Sequence, residues 1–290
     1  MKILLLGKNG QVGGALQSLL ADLGELTAWG RQDLDLSDAD AIREKIRQLR
    51  PEVIINAAAY TAVDKAESEP ELAMAVNGTA PGIIAQEAAR LGALLVHYST
   101  DCVFDGTKSS PYTEQDAPNP LSAYGRSKLA GDRAIATQAV RYLIFRVTWI
   151  YDTHGRNFLN TIKRTAAQRP ELTIVNDQIG APTWSRDIAQ ATAQAIGQYL
   201  AHPDQERLSG IYHMTAQGQT SWFGFAEAAA GYGLFAGLAH PPVLRAIPTS
   251  EYPTAAKRPL YSVLSNAKLF EQFGIQLPDW EVSLQECLKN

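Results

Sequence analysis

Lys2 to Leu6 is a short apolar run. After Gly7, Gly10 and Gly13, the apolar positions Ala15, Leu16, Leu19 and Leu20 recur at helical intervals. The pattern predicts a strand, a tight turn and an amphipathic helix. Glu25 to Trp29 reads as a second strand, and Ile42, Ile46 and Leu49 mark a second helix. Val53 to Ile55 is apolar throughout, as in a strand buried on both faces of a parallel sheet. A polar segment, Thr61 to Pro70, leads to a long alanine-rich helix ending near Leu91, with Asn77 inside it as a structural residue. Ala93 to Tyr98 and Tyr142 to Val147 are further strands. This alternation predicts an α/β fold built on a doubly wound parallel sheet.

Past Tyr151 the alternation loosens. Phe158 to Ala167 reads as a helix, Leu172 to Val175 as a short strand, and Asp187 to Leu200 and Glu281 to Leu288 as helices. The expected division is a nucleotide-binding domain over residues 1–150 and a smaller, mainly substrate-binding α/β domain over 151–290, with segments crossing between them.

The first turn carries the first chemistry. Glycine there permits the bend and lets a pyrophosphate approach the backbone; near the helix start it lets helix and strand pack closely. The free N–H groups of the helix N-terminus then favour phosphate. The context, strand before and helix after, makes Gly7, Gly10 and Gly13 a Rossmann-like dinucleotide fingerprint. Many NAD-binding folds end the second strand with an acidic residue for the ribose 2′-hydroxyl. Here Gly30 and Arg31 follow the strand, and a guanidinium suits a 2′-phosphate better. NADPH is therefore expected over NADH, with Asp35 and Leu36 bordering the adenine. The small residues Ala57, Ala58 and Ala59 follow the third strand, where cofactor approaches the sheet edge.

Ser99, Thr100 and Asp101 sit at the carboxyl end of the fourth strand, a place for hydroxyls that meet a reacting carbonyl. The loop from Phe104 to Pro120 is long enough to be functional. Ser122 then caps a helix carrying Tyr124 and Lys128, four residues apart and so on one face. A free phenol, with a pKa of about 10, is a poor proton shuttle, and a nearby ammonium lowers that value. Lys128 is expected to act in this way on Tyr124. His97, inside an apolar strand, reads as a core residue.

Composition narrows the remaining classes. With 46% hydrophobic and 19% charged residues, the 290-residue chain has ample material for a globular core. No apolar run approaches the roughly 18 residues of a membrane helix, and the early glycine turn argues against a signal peptide. A net charge of −4 gives no reason to expect nucleic-acid or membrane binding. Cys102 and Cys287 suggest no disulfide framework, so a reducing cytoplasm is expected, and no His/Cys cluster has zinc spacing.

The turn from Gly7 to Gly13, the segment Asn56 to Glu67, Ser99-Thr100-Asp101, and Tyr124 with Lys128 resemble the extended short-chain dehydrogenases/reductases. Further motifs narrow the likeness to the dTDP-4-dehydrorhamnose reductase family. These are Phe145-Arg146 with Trp149, Asn176-Asp177-Gln178 with Gly180 to Thr183, Pro248-Thr249-Ser250 with Tyr252 to Thr254, and Arg258-Pro259. The resemblance implies reduction of the C4 ketone of dTDP-4-dehydro-β-L-rhamnose, giving dTDP-L-rhamnose for cell-surface polysaccharide. It implies Thr100 on the carbonyl, Tyr124 as proton donor, and Lys128 on the nicotinamide ribose. Gly7, Asn9, Gly10, Gln11, Val12, Ala57 to Ala59, Tyr60 and Ser99 would border the cofactor. Val63, Asp101 and Trp149 would border the sugar. Arg258 and the loop Asn176 to Gln178 are weaker candidates for the nucleotide-sugar site.

The chain departs from the family pattern at Cys102, often Tyr, and at Tyr60, often His; the smaller Cys102 loses reach toward the sugar. Some members bind Mg²⁺ through acidic residues at a dimer interface. The sequence places no such cluster, leaving Mg²⁺ and a homodimer open. Two rival readings share these residues. One is another sugar-nucleotide reductase, dehydratase or epimerase, although a dehydratase would need Glu at position 102. The other is a non-catalytic NADP-binding regulatory subunit, resembling the β subunit of methionine adenosyltransferase.

Overall fold

In the computed structural model, residues 1–138 and 141–289 are described. Strand β1 (Lys2–Leu6) is buried from Ile3 onward, and the glycine turn passes the chain into α1 (Gln11–Ala21). There follow β2 (Glu25–Trp29), α2 (Ala39–Leu49) and β3 (Val53–Asn56). The Asp38 carboxylate caps α2 by accepting from the Asp40 and Ala41 amides.

The long helix expected up to Leu91 is interrupted. It comprises α3 (Pro70–Met74), a π-helical turn (Ala75–Thr79) and α4 (Ala80–Leu91). The cause is local. Pro81 has no N–H to give to the preceding turn. Asn77, in the wide turn, is buried with its amide holding the Tyr60 backbone at 2.8 and 2.9 Å and the Ser127 hydroxyl at 3.1 Å. Gly92, in the left-handed region at φ 66°, ends the helix.

Next come β4 (Leu94–Thr100), α5 (Ala123–Gln138) and β5 (Tyr142–Val147). The fourth strand thus runs two residues past Tyr98 and contains Ser99 and Thr100. The remaining chain forms β6 (Ile150–Tyr151), α6 (Phe158–Ala166), β7 (Glu171–Val175), β8 (Ile179–Gly180), β9 (Thr183–Trp184) and α7 (Ser185–Ala201). It closes with β10 (Gly210–His213), β11 (Thr220–Ser221), α8 (Trp222–Gly231), β12 (Val243–Ile247), α9 (Ala267–Phe273) and α10 (Trp280–Lys289).

The main sheet is parallel, in the order β10-β5-β4-β3-β1-β2. The winding reverses between β1 and β3, so a crevice opens at the carboxyl ends of these strands. One core lies between the sheet and α1, α7 and α9, and includes Leu16, Leu20, Ile188, Ile196 and Leu269. The other face is covered by α2 and α4 through Ile42, Ile46, Ile84 and Ala88. Strand β10 and helices α7 and α9 come from beyond residue 150, so the sheet layer draws on both parts of the chain. A third core, with Tyr151, Leu159, Ile174, Phe225 and Leu284, supports the parallel pair β7–β12 beside the crevice.

Candidate functional site

The crevice is one cavity of about 1340 Å³. Most of the site residues expected from sequence line it: Gly7, Asn9, Gly10, Gln11, Val12, Arg31, Asp35, Leu36, Ala57 to Ala59, Tyr60, Val63, Ser99, Thr100, Asp101, Tyr124, Lys128, Trp149 and Arg258.

The glycine turn is shaped as a phosphate cradle. Gly7 has φ +90°, and a Cβ there would stand 2.6 Å from the Ala58 nitrogen. A Cβ on Gly13 would stand 2.1 Å from the Gly7 carbonyl oxygen, so only glycine lets α1 pack this closely. At Gly10 a Cβ would meet only the Gly7 oxygen, at 3.4 Å, and would otherwise fill open space. Gly10 is the N-cap of α1 and supplies no side chain to its amides, and the first turn has no acidic residue. The donors therefore remain free for an anion. Beyond β2, Arg31 is 79% exposed and reaches Asp35 at 3.4 Å. Asp33 is instead folded under the turn, accepting from the Gly30 amide and pairing with Lys8 at 2.7 Å. These contacts, with the Lys8 hydrogen bond largest, hold its carboxyl below the usual range.

Thr100 ends β4, and its Oγ1 accepts from the Cys102 amide at 3.1 Å and donates to Asp101 at 3.0 Å. Asp101 also accepts from Thr148 at 2.7 Å. Burial raises the Asp101 carboxyl, opposed by hydroxyls of Ser262, Thr148 and Thr100. Asp101 thus orients Thr100 from within the protein. Ser122 caps α5 by accepting from the Gly125 amide at 3.1 Å, and the next turns present Tyr124 and Lys128. A Cβ on Gly125 would stand 2.3 Å from the Cys102 carbonyl oxygen, so glycine brings the helix against the end of β4.

The expectation that Lys128 lowers the Tyr124 pKa meets a different geometry. The Lys128 Nζ donates to the Tyr98 carbonyl at 2.6 Å and lies 3.0 Å from His97 Nε2. Tyr124 is raised above its ordinary value, first by burial and then by the neighbouring Cys102 and Asp101, against a hydrogen bond with Thr100. Lys128 is itself lowered to about 8 by burial, while Asp132 favours its charge. His97 is more than a packing residue, since it touches the lysine directly.

The sugar side also differs in detail. Trp149 adopts φ +43° and stacks on Trp222 at 3.5 Å with an interplanar angle of 8°. Its indole covers Gly180, where a Cβ would lie 2.5 Å away. Arg258, expected toward the nucleotide sugar, is paired with Asp64 at 2.8 Å. Within Asn176-Asp177-Gln178, only Gln178 lines the cavity. Asn176 accepts from Ser221 at 2.6 Å, and Asp177 binds the Thr249 amide and hydroxyl. Sequence reasoning missed Trp222, whose partner Trp149 lies far away in the chain. It also missed the buried pair Asp132–Arg146, although Asp132 follows Lys128 by one helical turn. Among the described residues, no group of three or more His, Cys, Asp or Glu could hold a metal ion.

A phosphate-ready turn at the switch point, together with a hydroxyl, a phenol and an ammonium at the same sheet edge, defines an NAD(P)-dependent oxidoreductase of the short-chain dehydrogenase/reductase class. Comparison with known proteins sharpens this. The RmlD substrate binding domain family matches residues 1–290. The dTDP-4-dehydrorhamnose reductase of Burkholderia thailandensis is 49% identical over 100% of this chain and 99% of its own. A crystal structure of a dTDP-4-dehydrorhamnose reductase from Clostridium acetobutylicum superposes with a TM-score of 0.91 at 36% identity, covering 100% of this chain and 99% of that one. One from Bacillus anthracis, in complex with NADP, gives 0.88 at 32% identity, covering 99% and 98%. The chain belongs to the dTDP-4-dehydrorhamnose reductase family.

Proposed function

We propose that the chain reduces the C4 ketone of dTDP-4-dehydro-β-L-rhamnose to dTDP-L-rhamnose, with NADPH as the preferred reductant. The observation that carries this reading is the single cavity joining the glycine turn, the edge Thr100–Tyr124–Lys128, and the loops that bear Trp149 and Gln178. Full-length likeness to reductases of this substrate, and NADP in the Bacillus anthracis relative, support it. Two unpaired cysteines fit a reducing, cytoplasmic setting.

The residues present fit the cofactor. The open space over Gly10 and the uncapped α1 amides suit a pyrophosphate, and the exposed Arg31 suits a 2′-phosphate. When bound, the reduced nicotinamide supplies a hydride. Tyr124 gives its proton to the C4 oxygen as negative charge develops there. Thr100 turns its hydroxyl proton from Asp101 to the same oxygen and stabilises the charge. Lys128 holds the nicotinamide ribose and, as a cation, favours the phenolate that Tyr124 becomes.

The reading is tested by following NADPH absorbance with dTDP-4-dehydrorhamnose, for the wild-type protein and for Tyr124→Phe. Turnover in the wild type that falls at least a hundredfold in the variant supports it. NADPH binding without turnover overturns it, and would favour the regulatory-subunit reading.

A further inference from the structure

The sugar side of the cavity carries motifs to which no chemical step above gives a part: Asn176-Asp177-Gln178, Gly180 to Thr183, and Pro248-Thr249-Ser250. They converge on one pair of rings. Trp149, just after β5, has its backbone in the left-handed region at φ +43°, which a bulky residue adopts only with support from its surroundings. Its carbonyl accepts from the Thr183 amide at 3.2 Å. Its indole lies so close to Gly180 that a Cβ there would stand 2.5 Å from the ring, and it stacks on Trp222 at 3.5 Å, within 8° of parallel.

Trp222 is fixed in turn. Ser221, before it, caps α8 by accepting from the Gly224 amide at 2.9 Å, and donates to Asn176 at 2.6 Å. β11 pairs antiparallel with β8, which sets Thr220 opposite Gly180. Phe158 packs on the Trp222 ring at a centroid distance of 4.7 Å. The Trp222 Nε1 donates to the Gln178 Oε1 at 3.2 Å. An indole N–H only donates, so Gln178 must turn its oxygen to Trp222 and its amide nitrogen away. That nitrogen donates to the Thr249 hydroxyl at 3.1 Å. The hydroxyl donates to the Asp177 carboxylate at 2.6 Å, and the Thr249 amide does so at 2.8 Å. Each link joins a donor to an acceptor, and the chain ends on a carboxylate, which only accepts.

We infer that Trp222 is a positioning residue: held through Ser221, Gln178 and Thr249, its indole fixes Trp149 as a pre-formed wall of the sugar half of the cavity. Trp149, Trp222, Gln178 and Phe158 all line that cavity. Asn176 and Asp177 act on the sugar through Trp222, without touching it. A wall that is ordered before the sugar arrives spares binding the cost of ordering it. This inference rests on the place given to Trp149 beside the sugar in the reductase reading.

The test has one arm without substrate and one with it, and thermal melting establishes that each variant folds. In the ligand-free protein, the stacked indoles should give an exciton band in circular dichroism. Trp149→Leu and Trp222→Leu should each abolish that band, and Gln178→Leu should weaken it. An unchanged band in Gln178→Leu overturns the inference, whatever the substrate proves to be. In turnover with dTDP-4-dehydrorhamnose, Trp222→Leu should raise KM by about five- to tenfold, the scale of one aromatic pair, with the NADPH dissociation constant unchanged. Trp222→Phe, which keeps a ring to stack, should recover most of this. Gln178→Leu should raise KM by about threefold, the scale of one hydrogen bond. In a Trp149→Leu background both effects should vanish, because both residues act through Trp149. A folded Trp222→Leu protein with the wild-type KM overturns the inference. So does an effect that persists in full without Trp149, which would mean that Trp222 meets the substrate itself. Should Trp222→Leu fail to melt cooperatively, Gln178→Leu carries both arms. A wild type that binds NADPH but reduces nothing contradicts the proposed reaction and leaves the ligand-free arm legible.

Discussion

At the scale of single residues, the site is governed by burial more than by charge. Tyr124 is pushed up by burial and by the neighbouring Cys102 and Asp101, so proton donation relies on a nearby cation to favour the phenolate. Tyr124→Phe should lower kcat by about 10² to 10⁴ while leaving the NADPH dissociation constant nearly unchanged, as measured by stopped-flow and fluorescence. Lys128 titrates lower in the folded chain, near about 8, than when unfolded. The folded state thus binds fewer protons between these values, so the burden of burying the ammonium is present below about 8 and fades as pH rises. Lys128→Met should therefore melt no lower than wild type at pH 7 while losing activity, a loss of function without a loss of stability. Arg31, largely exposed at the cavity rim, should set cofactor choice. Arg31→Asp should lower the NADPH-to-NADH ratio of kcat/KM by about tenfold or more, in line with one charge-assisted contact. An unchanged ratio would remove Arg31 from that role. Tyr124 and Lys128 were legible in the sequence because both lie on one helix turn. His97, Asp132 and Trp222 were not, because each acts through a contact across strands or between distant loops, which periodicity does not encode.

At the scale of elements, close approach decides. The glycine turn was legible because strand, turn and helix are local. Its steric reason is now visible in the Gly7 and Gly13 contacts with Ala58 and with Gly7 itself. Gly13→Ala should push α1 from the turn and weaken NADPH binding by at least tenfold in a fluorescence titration, with a lowered melting temperature. The break in the long helix was hidden, because Ala-rich composition favours helix throughout. Only the tertiary partners of Asn77 and the missing Pro81 N–H account for the wide turn. The loop from Phe104 to Pro120 is fastened by two carboxylates. Asp105 is held at about 2, most by Asn119 and then Thr107, and Asp116 at about 2, most by Lys108. Both are lower than in an unfolded chain, so their contribution is complete above pH 4 and is lost as pH falls toward 2. Asp116→Ala should flatten that acid dependence and speed amide exchange in the loop, as hydrogen exchange with mass spectrometry would register.

At the scale of the molecule, the cavity exists because both parts of the chain build the sheet layer. β10, α7 and α9 return from the second part to complete it, while α6, β7 and Trp222 at the start of α8 face the crevice. The parallel α/β class was legible from the alternation of strand and helix. This return was not, since short strands such as β10 carry too few residues to declare their sheet. A ligand that binds only the folded form stabilises it by about 2.7 kcal/mol at a hundredfold excess over its dissociation constant. NADPH at that excess should raise the melting temperature by about 5 °C in a chain of this size. The central claim is transfer to one carbon of one sugar, and isotope transfer tests it most directly. With dTDP-4-dehydrorhamnose and NADPH deuterated at C4 of the nicotinamide, on the face that donates, NMR of the product should show deuterium at C4 of dTDP-L-rhamnose and nowhere else on the sugar. NADPH that binds without transferring label, or label at any other carbon, would contradict the account.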